Sequence, residues 1–247
     1  MRKIILILLL ASLCLANPVY ASQGRKSKIR LLLIGATAYR SLIELYPTND
    51  VEVTYLGYSS NFSYTLEELK QYDVIMFANI DINGFNPPLS EDNMKDIRKF
   101  VEEGGTFIMA GGYGSFGGYD GSLYPWIVGY DGTPIEEILP VEIIQHGNTC
   151  WKDFVPRVLK KHFLTNGIFQ NHPTMHGLNL VEAKPESIVL ADDGEGNPFL
   201  VIWKYGKGRA LAFTSDIGPG WGSDYISWEH SEEFWHRVMI WSTNKKL

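Results

Sequence analysis

Apolar and polar positions along the chain change period several times, and each change marks an element. Ile29 to Ile34 is a short, mostly apolar run closed by Gly35, the pattern of a strand buried on both faces. Val51 to Leu56 is a second strand candidate, enriched in β-branched residues. Thr65 opens a helical turn with Glu67 and Glu68 placed early, where they suit the helix dipole. Asp73 to Phe77 predicts a third buried strand. Ser90 is an N-cap, and Met94, Ile97, Phe100 and Val101 then recur at helical spacing until Gly104-Gly105 stops the helix. Thr106 to Ala110 is a fourth buried strand that runs into a glycine-rich loop. Strands and helices alternating over residues 29–112 predict a parallel α/β sheet.

The second half is less regular. Residues 113–134 are dense in Gly, Tyr and Pro and too long for an ordinary connection, which marks a functional loop. Pro140 to Ile144, Ile188 to Ala191, Phe199 to Trp203 and Arg209 to Thr214 read as strands. The last three are joined by turn-like Asp192-Asp-Gly-Glu-Gly-Asn and Gly206-Lys-Gly, which adds an antiparallel hairpin near the C-terminus. Glu229 to Ser242 predicts a final amphipathic helix, with Phe234, Val238 and Trp241 on one face. No repeat or linker divides residues 29–247, which read as one domain behind a polar lead-in at 22–28.

The first 21 residues follow a different pattern. Arg2 and Lys3 precede an apolar run from Ile4 to Ala16, and Val19-Tyr20-Ala21 ends in small residues at the positions a signal peptidase reads. The run is shorter than the roughly 20 residues that span a bilayer. The expectation is an exported protein, periplasmic or secreted, cleaved after Ala21 and off the membrane afterwards. Cleavage removes Cys14 and leaves Cys150 alone, so no internal disulfide is expected.

Composition narrows the function classes. The 247 residues carry a net charge of −6 with 45% hydrophobic and 20% charged side chains, enough apolar material for a core and too little charge for a disordered chain. The acidic balance argues against sequence-independent nucleic-acid binding, which needs a basic surface to displace phosphate counterions.

Candidate chemistry gathers where strands end, because ligands of open parallel sheets bind beyond the carboxyl ends of the strands. Those segments are Gly35-Ala-Thr-Ala, Ala78-Asn-Ile-Asp, Gly111-Gly-Tyr-Gly-Ser-Phe-Gly-Gly and Ser215-Asp-Ile-Gly-Pro-Gly-Trp-Gly. They nominate Asn79, Asp81, Tyr113, Ser115, Asp216 and Trp221 as ligand-binding residues lining one crevice, and Asp81, Asp216 and His172 as candidate acid–base groups. Trp221, Tyr225 and Trp228 are aromatic faces on which a sugar could stack; packing of the loop against the final helix is the competing account. His172 and His176 are four residues apart, but Pro173 and Gly177 argue against a continuous helix, and no metal site is expected. Gly112-x-Gly114-x-x-Gly117 follows a strand without opening a helix, so no dinucleotide cofactor is implied. Gly114-Ser115-Phe-Gly117 is one residue short of a Gly-x-Ser-x-Gly nucleophile elbow, which disfavours a serine nucleophile.

Four stretches carry a resemblance: residues 102–117, 132–141, His172-Pro-Thr-Met-His-Gly-Leu, and Pro198 through Asp216. Together with Gly220-Trp-Gly-Ser-Asp-Tyr-Ile-Ser-Trp-Glu they make the chain resemble the glutamine amidotransferase family of the class I glutamine amidotransferase-like superfamily, which is ThuA-like. The resemblance implies a flavodoxin-like fold, a mostly parallel sheet with helices on both faces. Active members place a nucleophilic cysteine on the elbow after the fourth strand and a His and Glu late in the chain. Here the elbow has no cysteine, the closing strand ends in Thr214-Ser-Asp, and Cys150 lacks a strand–turn–helix context. The usual triad is therefore absent. The expected role is binding a small polar ligand such as a carbohydrate at the strand-end crevice. The alternatives are an Asp/His hydrolase in the same crevice, with or without a metal, and a structural or homo-oligomer-forming module.

Overall fold

The computed structural model describes residues 28–35 and 50–243. The expected leader and residues 36–38 of the first strand-end segment lie outside the described residues. β1 (Ile29–Gly35), β2 (Val51–Leu56), β3 (Val74–Ala78), β4 (Thr106–Ala110) and β12 (Gly208–Phe213) run parallel. They belong to an eight-stranded sheet of order β2-β1-β3-β4-β12-β11-β10-β7. β11 (Pro198–Tyr205), β10 (Ile188–Asp192) and β7 (Arg157–Val158) extend it by antiparallel pairing. The α/β, flavodoxin-like architecture read from the sequence, with its antiparallel addition, is the architecture observed.

Alternation along the strands builds two cores. Leu31, Leu33, Val74, Met76, Ile108, Leu211 and Phe213 face one side. There α4 (Ser231–Thr243) covers them with Phe234, Trp235, Val238 and Met239. Leu32, Ile34, Ile75, Phe77, Phe107, Met109 and Ala212 face the other side. They meet Met94, Ile97, Phe100 and Val101 of α2 (Glu91–Glu102), and Ile135 and Ile138 of α3 (Pro134–Ile138). Both faces are covered, which is why these strands read as continuous apolar runs. α2 begins where the pattern placed it: Ser90 Oγ accepts from Asn93 N at 3.1 Å, and Asn93 Oδ1 accepts from Ser90 N at 3.3 Å. A short helix, α1 (Leu66–Leu69), is capped in the same way by Thr65 and Glu68.

Three expectations need correction. The strand expected over Pro140 to Ile144 shrinks to β5 (Val141–Glu142), which pairs only with β9 (Glu182–Ala183) outside the main sheet. β6 (Thr149–Phe154) and β8 (Met175–Asn179) form a separate antiparallel pair that periodicity did not reveal, because exposed and half-buried residues alternate irregularly along β6. The final helix starts at Ser231, two residues later than expected. At the far end of the sheet, Arg157 of β7 holds Asp192 through two hydrogen bonds, at 3.0 and 2.6 Å. Among the described residues, no helix is long and apolar enough to cross a membrane.

The β11–β12 turn packs tightly against the end of α2. A Cβ on Gly208 would lie 2.1 Å from Gly105 O and 2.2 Å from Val101 O, both backbone atoms that cannot swing away. Gly208→Ala is therefore expected to cost about 1–3 kcal/mol of stability, read as a lower urea midpoint at unchanged slope. A midpoint equal to that of the wild type would show that the turn relaxes freely.

Candidate functional site

β3, β4 and β12 end side by side, and their following segments meet there. Gly111 N donates to both Phe213 O and Ser215 O at 2.8 Å, so the β4 exit is stitched to the β12 exit. A Cβ at Gly111 would sit 2.5 Å from Thr214 O, and Gly112 has φ +128°; only glycine fits these positions. The elbow then coils tightly, with Phe116 at φ +53° and fully buried.

Three asparagines satisfy this coil. Asn79, itself left-handed at φ +48°, accepts from Gly114 N at 2.8 Å. Asn179 Oδ1 accepts from Gly112 N at 3.0 Å, and its Nδ2 donates to Gly112 O at 3.2 Å and to Asn148 Oδ1 at 3.0 Å. Asn148 Oδ1 also accepts from Gly117 N, and its Nδ2 donates to Leu180 O at 2.9 Å. Asn148 and Asn179 are fully buried and were not singled out from the sequence. Their partners are scattered across the chain, so no local spacing marks them.

Of the predicted residues, the structure brings Asn79 and Asp216 together. Asn79 Nδ2 donates to Asp216 Oδ2 at 3.4 Å, while Asp216 Oδ1 accepts from Gly218 N at 2.8 Å. Ser115 does not join them, which corrects its assignment. Its hydroxyl turns inward, donates to Ala110 O at 2.6 Å, and the residue is 0% exposed.

Asp81 lies beside the elbow, where Gly114 packs against its backbone N, but its carboxylate serves another purpose. It accepts from Val128 N at 3.0 Å, Asn83 N at 3.2 Å and Tyr58 OH at 3.3 Å. These bonds pin the long 113–134 loop to the end of β3. Burial raises the pKa of Asp81 and the three partners oppose that rise; Asp216 is not a cause of it.

His172 is not brought to the carboxylates. It closes a 3-10 turn at Phe169–Asn171 and its ring is enclosed by Phe169, Phe199, Tyr225 and Trp228 at 4.6–5.7 Å between centroids. Nδ1 lies 2.8 Å from Pro173 O, to which it donates as Nδ1–H, and Nε2 is buried without a partner. His176 sits on β8 instead, between the exposed carboxylates of Asp153, 2.7 Å from Nδ1, and Asp224, 3.5 Å from Nε2. The Asp153 hydrogen bond raises its pKa.

The aromatic residues rearrange the expected sugar wall. Tyr225 and Trp228 belong to the core around His172, in line with the packing account. Trp221 is 2% exposed, and its indole lies against Gly177, where a Cβ would come within 2.4 Å of it. It forms a floor under two more accessible rings, Tyr113 at 5.8 Å and Trp151 at 5.9 Å, both edge-to-face. Trp151 is 62% exposed and donates its Nε1 to Tyr113 OH at 2.8 Å. The sequence did not single out Trp151; its only signal was a large aromatic beside Cys150. Cys150 itself is half-buried on β6 and packs against the core. Among the described residues, no group of three or more His, Cys, Asp or Glu side chains is arranged to hold a metal ion.

A family described as "putative glutamine amidotransferase" matches residues 36–244. No curated protein matches the chain significantly. A cytoplasmic protein of Salmonella typhimurium LT2 is 27% identical over 87% of this chain and all of its own, with a TM-score of 0.76. A second cytoplasmic protein of Salmonella typhimurium is 23% identical over 88% of this chain and all of its own, with a TM-score of 0.77. A ThuA-like protein from Bacteroides uniformis shares the fold at 14% identity, over 92% of this chain and 96% of its own, with a TM-score of 0.54.

Burial lowers the His172 pKa to about 4, against an ordinary value of 6.5. The folded state therefore resists a proton that the unfolded chain accepts. Its stability is whole above pH 6.5 and falls as the pH drops toward 4, by roughly 3 kcal/mol if the full shift is realised. His172→Gln is expected to flatten that interval in urea melts at pH 7, 5.5 and 4. An unchanged slope would assign the acid sensitivity elsewhere.

Proposed function

The chain belongs to the glutamine amidotransferase-like family, and from that premise we propose that it binds a small neutral carbohydrate beside an elbow that has no thiol. The observation that carries the reading is the hydrogen-bonded pair of Trp151 and Tyr113, the latter on the elbow that Asn79 holds through Gly114 N. The aromatic faces of exposed Trp151 and half-buried Tyr113 suit the C–H faces of a pyranose, and the half-buried Asn79 amide suits its hydroxyls. The hydrogen bond from Trp151 to Tyr113 holds both rings before a ligand arrives, which lowers the ordering cost of binding.

The elbow supports binding over chemistry. Its tight coil is spent on its own asparagine partners, and Ser115 is turned away from the surface. The hydrolase alternative loses its base, since His172 is walled in by aromatic rings and its pKa is lowered to about 4 by burial. Export remains part of the proposal on the strength of the leader-like first 21 residues.

Calorimetric titration with maltose, cellobiose, glucose and galactose tests the reading. At least one should bind, and Trp151→Ala should weaken that binding by about tenfold, in keeping with the loss of one stacked ring. No heat with any of the four would sink it. Separately, N-terminal sequencing of the protein after expression in a bacterium with intact export should read from Ser22; a chain still starting at Met1 in the cytoplasm would remove export from the proposal.

A further inference from the structure

The loop at 113–134 carries more aromatic surface than a site for one sugar needs. Tyr124 is 39% exposed and Trp126 55%, and their rings lie 5.7 Å apart. Tyr124 continues to Tyr113 at 5.9 Å, and Tyr113 to Trp151 at 6.3 Å. Tyr119 backs the middle of this row, stacked on Tyr113 at 4.6 Å. Three exposed rings, Trp126, Tyr124 and Trp151, and the half-buried Tyr113 between them thus follow one another at steps comparable to consecutive pyranose rings in an oligosaccharide.

The row is held from beneath. Asp81 accepts from Val128 N, Ile82 N donates to Val128 O at 3.2 Å, and Asn83 Nδ2 donates to Trp126 O at 2.8 Å. A loop that served only as a connection would have no need of a buried carboxylate to fix the backbone next to an exposed tryptophan. At the other end, the carboxylates of Asp153 and Asp224 are 77% and 56% exposed and flank His176, whose N donates to Trp221 O.

The planes of the rings also constrain the shape of a ligand. Tyr124 and Trp126 are inclined at 84°, Tyr113 and Tyr124 at 47°, and Tyr113 and Trp151 at 73°. A flat ribbon, such as a β-1,4-linked glucan, can stack on one of these faces but not on successive ones. A chain that bends between sugars can turn with them.

We propose that the row Trp126–Tyr124–Tyr113–Trp151 is an extended binding track for a bent, α-linked gluco-oligosaccharide of about four units. The proposal rests on the carbohydrate reading above and adds to it a length and a shape. Asp81 and Asn83 are positioning residues for the track and do not touch the ligand.

Calorimetry with maltose, maltotetraose and cellotetraose tests it on the full folded chain. Maltotetraose should bind about tenfold more tightly than maltose. Trp126→Ala, at an exposed ring, should weaken maltotetraose about fivefold to tenfold, leave maltose within twofold and keep the wild-type melting temperature. Equal affinities for maltose and maltotetraose, or no effect of Trp126→Ala on maltotetraose, would overturn the track while the carbohydrate reading stood. Tighter binding of cellotetraose than of maltotetraose would overturn the bend. Failure of every sugar, including the monosaccharides, would bring down both.

Discussion

Because β12 lies parallel to β4, with Phe213 opposite Ala110, the chains leaving those two strands have to share one small space at the carboxyl edge of the sheet. Gly111 makes that possible by donating to carbonyls on both sides of the Thr214 peptide, and no side chain could be inserted without striking Thr214 O. Everything else about the site follows from this contact. It brings Asp216 to Asn79, it forces the elbow into left-handed backbone, and it sets Tyr113 on the rim. A β12 strand running the other way would have sent Asp216 to the opposite edge.

A coil this tight buries backbone N–H groups that no regular element can satisfy, each costing about 1–3 kcal/mol if left alone. In this chain the deficit is met by amides from three separate segments, Asn79, Asn148 and Asn179. An amide can accept with one end and donate with the other, which lets Asn179 bond both to Gly112 N and to Gly112 O. The elbow is thereby a self-contained polar cluster under an aromatic lid. Of the aromatic side chains above it, Trp151 remains at the surface, unlike the rings around His172.

The sheet and its helices were legible because their signals are local and repeat. Continuous apolar runs marked β3 and β4, and the Ser90 cap with its spaced Met94, Ile97 and Phe100 marked α2. The strand ends drew attention to Asn79 and Asp216, which the fold hydrogen-bonds to one another, since position along a parallel sheet is itself a clue. What could not be read was direction. Whether Ser115 faces outward or toward Ala110 O depends on two left-handed residues, Gly112 and Phe116, and only the first is a glycine. Nor could spacing show that Asp81 would be consumed by Val128, 47 residues away, or that Trp151 would reach Tyr113. Such pairings arise from how the irregular second half folds back on the sheet.

The end of the sheet at β7 has a consequence for how these molecules meet one another. An outermost strand ordinarily offers a row of unpaired N–H and C=O groups to any passing chain. Here that strand is two residues long, Arg157 and Val158, and Arg157 has its guanidinium committed to Asp192 on the neighbouring strand. A foreign strand arriving at this border would find a template shorter than the usual strand of about five residues, and crowded solutions of the protein gain little by stacking sheet upon sheet there.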